Sequence, residues 1–134
     1  MTMTHAARRP AIQMIDREAD ALTSLALGVE DKQPQVSALL LDEIARARVM
    51  RAERIPADTV TMGATVDFID EASGTERTVK LVYPREADIA AGRVSILSLV
   101  GAGLIGLREG QAISWPDRSG RERQLRIRAV RKAG

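Results

Sequence analysis

The sequence contains no cysteine, one histidine and only three aromatic side chains, Phe68, Tyr83 and Trp115. Without cysteine there can be no disulfide, no thiolate nucleophile and no zinc ribbon, and a cytoplasmic location is the simplest expectation. The one histidine, His5, stands near the N-terminus, which removes a Ser-His-Asp triad and most imidazole metal sites. Three aromatics are little material for a base-stacking platform or an aromatic pocket. No apolar run approaches the ~18 residues of a membrane span. Met1 to Ile15 also lacks the apolar core of a signal peptide. What remains is 45% apolar and 28% charged over 134 residues, which suits one soluble globular domain with an appendage.

Charge is uneven along the chain. Residues 117–134 carry seven basic side chains against two acidic ones, while the rest carries thirteen against sixteen. A basic C-terminal edge can meet an acidic partner or nucleic acid, with Arg121, Arg123, Arg126 and Arg128 as the contacts. It can equally be a solvated strand face.

Periodicity divides the chain. Residues 1–11 are polar, contain Pro10 and read as a disordered terminus. Ile15, Ala19, Leu22, Ala26 and Val29 then fall on one helical face, with Asp16 as a candidate cap and Gly28 as the stop. A second helix begins at Pro34, with Val36, Leu40, Ile44, Ala47 and Met50 on its stripe, and should end before Pro56. Two such helices across a short polar link predict an antiparallel hairpin, a short coiled coil about 20–28 Å long. From Val60 to Phe68 apolar and polar residues alternate as in a half-buried strand. A turn at Glu71–Gly74 and a return strand from Thr75 to Tyr83 follow. Val94–Ser98 reads as a short strand and Leu99–Leu107 as a short helix whose glycines permit close packing. Gln111–Trp115 and Glu122–Arg131 are the final strands, with Leu125, Ile127 and Ala129 on the inner face. The sum is an α+β chain: a helical hairpin over 12–54, then an antiparallel sheet around a short helix over 55–134.

Catalytic chemistry finds few candidates. No nucleophile has a base beside it. Gly101-Ala102-Gly103-Leu104-Ile105-Gly106 lacks the P-loop lysine and the dinucleotide spacing, and reads as tight packing. Glu30 and Asp31, adjacent in the hairpin link, are either a polar turn or a pair able to hold Mg²⁺ against phosphate oxygens. No catalytic residue, resident metal or cofactor is expected.

The stretches EADIAAGRVSILS (86–98) and GAGLIGLREGQAI (101–113) resemble the C-terminal domain of the bacterial Gre transcript-cleavage factors. Ile55-Pro56-Ala57-Asp58, Leu81-Val82-Tyr83-Pro84 and Asp42–Ala47 extend the likeness over about residues 12–131. The closer likeness is to the Gre-related family of regulators of nucleoside diphosphate kinase. The resemblance implies an FKBP-like C-terminal domain and a hairpin that enters the secondary channel of bacterial RNA polymerase. It also implies a docking loop before the short helix, at Ser95, Leu97, Ser98 and Leu99. Leu97 stands where an acidic residue can occur in Gre factors, and Leu99 where proline is usual. Gre factors carry two acidic residues at the tip of a longer coiled coil, delivering Mg²⁺ for RNA cleavage, and here Glu30 and Asp31 occupy a shorter tip. The expectation is a monomeric, non-enzymatic transcription regulator that competes with Gre-type factors on the polymerase. A cleavage cofactor and a direct nucleic-acid binder are the alternatives.

Overall fold

A computed structural model of the chain describes residues 9–133; His5 and the rest of residues 1–8 lie outside them. The element order is β1 (Gln13–Ile15), α1 (Asp16–Gly28), α2 (Pro34–Arg46), β2 (Arg48–Met50), β3 (Thr65–Asp70), β4 (Thr75–Val82), β5 (Arg93–Ser95), α3 (Leu99–Leu104), β6 (Ala112–Pro116) and β7 (Glu122–Arg131), with single 3₁₀ turns between some of them. The α+β expectation of N-terminal helices followed by a sheet around a short helix is what the chain forms.

The two helices, 13 residues each, make a hairpin about 20 Å long. Ala19, Leu22 and Ala26 are buried on α1, facing Val36, Ser37 and Leu40 on α2. Small residues set the close approach: Ser37 Oγ donates to the Ala26 carbonyl at 2.7 Å inside the seam, satisfying both groups away from water. Pro34 occupies the first turn, where its missing N–H costs nothing. Asp16 is the first helical residue and not the cap, a position taken by Ile15. Its carboxylate still suits the positive end of the helix dipole.

The second helix is shorter than its stripe predicts. It stops at Arg46, and Arg48–Met50 pairs in parallel with Gln13–Ile15. The Arg48 N–H donates to the Ile12 carbonyl at 2.9 Å, while Ile12 and Met14 are fully buried. A strand pairing anchored by two core side chains overrides a weak helical tail. Ile15 belongs to this strand and not to the helix face. The segment expected to be loose is held at its end: the Pro10 carbonyl accepts from Arg46, and the Ala11 carbonyl from the Gln111 side chain.

The main sheet has the order β5-β4-β3-β7-β6. Its β3–β4, β3–β7 and β6–β7 pairs are antiparallel, and only the edge strand β5 runs parallel to its neighbour. The expected strand from Val60 begins at Thr65, because Gly63 turns the chain at φ +85° and its N–H donates to the Leu81 carbonyl. Val60 and Ala64 are buried all the same, so their alternation reflected packing and not a ladder. A bulge interrupts β7: Asp67 pairs with Ala129 but Phe68 pairs with Ile127, so Arg128 is the extra residue. The bulge moves the inner face from Ala129 to Val130, which is buried against the core. Phe68, Trp115, Leu125 and Ile127 from the sheet, and Leu22 and Leu40 from the hairpin, share one hydrophobic core.

Candidate functional site: the β5–α3 loop and its groove

The loop from Ser95 to Leu99 is held by its own side chains. Ser95 Oγ accepts from the Leu97 N–H at 2.9 Å, and Ser98 Oγ donates to the Ser95 carbonyl at 2.6 Å. Ser98 Oγ also accepts from the Gly101 N–H at 3.0 Å, capping α3. Two glycines seat that helix. A Cβ on Gly101 would overlap the Ser95 carbonyl, and one on Gly103 would lie 2.9 Å from the Trp115 ring. Trp115 in turn donates its indole N–H to the Leu99 carbonyl at 2.7 Å. The loop is therefore rigid, and its shape depends on Ser95, Ser98, Gly101 and Trp115 acting together.

An open groove of about 950 Å³ runs beside this loop. That is at the upper end of the ~300–1,000 Å³ of ligand-sized sites. Phe68, Trp115, Leu125, Leu99 and Val100 supply its apolar lining, and the start of α2 closes one side. Ile89 stands on the rim, 84% exposed, with none of the described residues covering its apolar side chain. The rim charges are Arg77, Arg118, Arg123, Asp70 and Asp117. Arg77 lies 5.7 Å over the Phe68 ring, and Arg123 pairs with Asp70 at 2.6 Å. Donating to the Asp70 carboxylate raises the Arg123 pKa further. The Ser119 hydroxyl, helped by the Arg121 and Ser119 amides, holds the Asp117 carboxyl below its ordinary pKa.

Of the four loop residues named from sequence, Ser98 and Leu99 line the groove, while Ser95 supports the turn and Leu97 is buried. Glu30 and Asp31 lie exposed in the turn between the helices, and neither carboxylate has a partner among the described residues. No group of three or more metal-ligating side chains occurs among the described residues. Gln33 and Pro34, which follow the acidic pair after Lys32, line the groove, so the end of the hairpin link and the β5–α3 loop stand at one groove. Sequence reasoning missed Phe68, Trp115, Leu125 and Ile89. Only Ile89 carried a local signal, as a large apolar residue inside a polar loop.

The arginines of β7 are mostly engaged. Arg123 pairs with Asp70, Arg126 with Glu71 at 2.9 Å and Arg131 with Asp67 at 2.8 Å. Thus the acidic residues of β3 and the following turn offset the basic C-terminal strand beside them. Arg121 and Arg128 have no carboxylate within reach among the described residues.

The C-terminal Gre-type domain model, described as "Transcription elongation factor, GreA/GreB, C-term", matches residues 55–132. This chain belongs to the GreA/GreB family. The GreA of Acidiphilium cryptum is 42% identical over 88 residues, covering 66% of this chain and 55% of that protein. The chain spans about half the length of such GreA relatives. The regulator of nucleoside diphosphate kinase of Escherichia coli K12 is 34% identical over 112 residues, 80% of this chain and 79% of the relative. Among solved structures, a GreA/GreB transcription elongation factor from Nitrosomonas europaea superimposes with a TM-score of 0.70 at 36% identity, covering 92% of this chain and 99% of the other. The family likeness read over about residues 12–131 is thus matched by a backbone likeness over 92% of the chain. No helix among the described residues is long and apolar enough to cross a membrane.

Proposed function

We propose that this chain is a transcription regulator of the elongation-factor type that docks on bacterial RNA polymerase through the β5–α3 loop and its groove. It would compete there with Gre-type factors without promoting transcript cleavage. The observation that carries the reading is the apolar groove with exposed Ile89 on its rim, built on the domain that matches the family. A rigid loop beside an uncovered apolar surface presents contacts at little ordering cost. Two features argue against cleavage. The hairpin is about 20 Å long, and its acidic link adjoins the chain's own groove. Two unpartnered carboxylates there do not make a complete magnesium site, and they would need ligands from the partner.

The test is binding of the full chain to core polymerase, with a Gre factor as competitor. Saturable binding displaced by the Gre factor is expected, and absence of binding would end the reading. Ile89→Asp is expected to weaken it roughly 30-fold, the scale of an interface hot spot near 2 kcal/mol. The exposed position leaves the fold intact. In stalled elongation complexes the wild type and the Glu30→Ala/Asp31→Ala variant should both leave the transcript uncut. Affinity for bare duplex DNA should be low at moderate salt, since most of the β7 arginines are already paired.

A further inference from the structure

Apart from the Glu43–Arg9 pair, whose guanidinium lies over Trp115, the helical hairpin meets the sheet domain mainly through apolar contacts. Among the described residues, one hydrogen bond joins residues 16–46 to residues 55–133: the Met62 backbone N–H donates to Glu18 Oε1 at 3.1 Å. Met62 lies in the irregular stretch before β3, and its N–H has no backbone acceptor there. At the same place Lys132, from the chain just past β7, donates to the Thr59 carbonyl at 3.1 Å and Thr61 Oγ1 at 3.3 Å. Its ammonium acts on the Glu18 carboxylate electrostatically, and Tyr83 feels the same carboxylate. Burial shifts all three groups toward their neutral forms, which marks the cluster as partly withdrawn from water.

We propose that Glu18, through its bond to the Met62 amide, is a latch that sets the pose of the hairpin on the sheet domain. At its base the hairpin is tied by strands: the Gln13 N–H donates to the Gly106 carbonyl at 3.2 Å, and β2 pairs with β1. A base tied along one line leaves rocking about that line open, and apolar packing is non-directional enough to permit it. Glu18 sits one turn up α1 from that line, where a directional bond to a fixed amide stops the motion. Losing it leaves the Met62 N–H without an acceptor. Glu18 is a positioning residue: it touches no partner, and it decides where the acidic link stands relative to the groove.

The absence of cysteine makes the test direct. Lys32→Cys in the hairpin link and Arg128→Cys on β7, both at exposed positions, carry spin labels in the full chain. Pulsed electron paramagnetic resonance then reads the distance distribution between them. A single narrow peak is expected in this background. Glu18→Gln keeps an acceptor for Met62 and should retain the peak, whereas Glu18→Ala should shift and broaden it in a protein whose circular dichroism is unchanged. An unshifted, narrow peak in folded Glu18→Ala overturns the proposal. If Glu18→Ala does not fold, Glu18→Met, which keeps the side-chain length but offers Met62 no carboxylate oxygen, decides by the same criterion. The readout needs no polymerase, so it stands or falls separately from the docking assay.

Discussion

Glu43→Ala should lower the unfolding free energy by about 3 kcal/mol, the lower end of the cost of breaking a buried ion pair from one side. Glu43 is fully buried on α2, an unusual place for a carboxylate. Arg46 holds it with two donors, at 3.0 and 2.7 Å, and Arg9 adds a longer contact at 3.4 Å. The Arg9 guanidinium also lies 5.0 Å over the Trp115 ring. One carboxylate therefore ties the N-terminal segment, α2 and β6 together. Alanine would leave two cations facing a cavity with no counter-charge. The estimate stays at the low end because Arg46 retains a quarter of its side-chain exposure and can turn to water. Denaturant titration monitored by circular dichroism measures the loss. Glu43→Gln, which keeps the shape and one acceptor, should cost less than alanine. Equal costs for the two would mean that the lost charge, and not packing or the remaining acceptor, is at stake.

Gly101→Ala should cost about 3 kcal/mol, at or above the usual range for overpacking a core. Its added methyl meets the Ser95 carbonyl, backbone that is itself held by Ser98. Neither side can yield cheaply. The helix would have to lift from the loop, breaking the Ser98 cap and moving Leu99, whose carbonyl accepts the indole N–H of Trp115. Gly103→Ala should cost less, because its new methyl lies 2.9 Å from the Trp115 ring, a milder overlap than the one at Gly101 with the Ser95 carbonyl. Thermal melts of the two variants rank them. If Gly101→Ala melts with the wild type, the close approach of α3 to the loop is not what shapes the site.

Local pattern was enough for much of the fold. The 3–4 spacing from Ala19 to Ala26 and from Val36 to Leu40 marked the hairpin, and Glu122–Arg131 was read at its observed limits. The departures share a cause: each depends on a partner distant in sequence. Residues 48–50 leave the helix because residues 13–15 offer them a ladder. Ala129 yields the inner face to Val130 because β3 skips Arg128. β5 runs parallel to β4, a choice of topology and not of composition. The site divides in the same way. The loop before α3 was singled out through its likeness to Gre factors, and two of its four named residues, Ser98 and Leu99, line the groove. Phe68, Trp115 and Leu125 come from three separate strands and look in sequence like any core residues. Only the curl of the sheet brings them to one opening.

The position of Trp115 has an optical consequence. As the only tryptophan in the chain, it is the source of all the indole fluorescence, and it sits where Arg9, Gly103 and Leu99 converge. Its near-complete burial predicts blue-shifted emission in the folded protein. Release of Arg9, lifting of α3 and occupation of the groove all change the same ring, so the chain carries an intrinsic, label-free dye at its own junction.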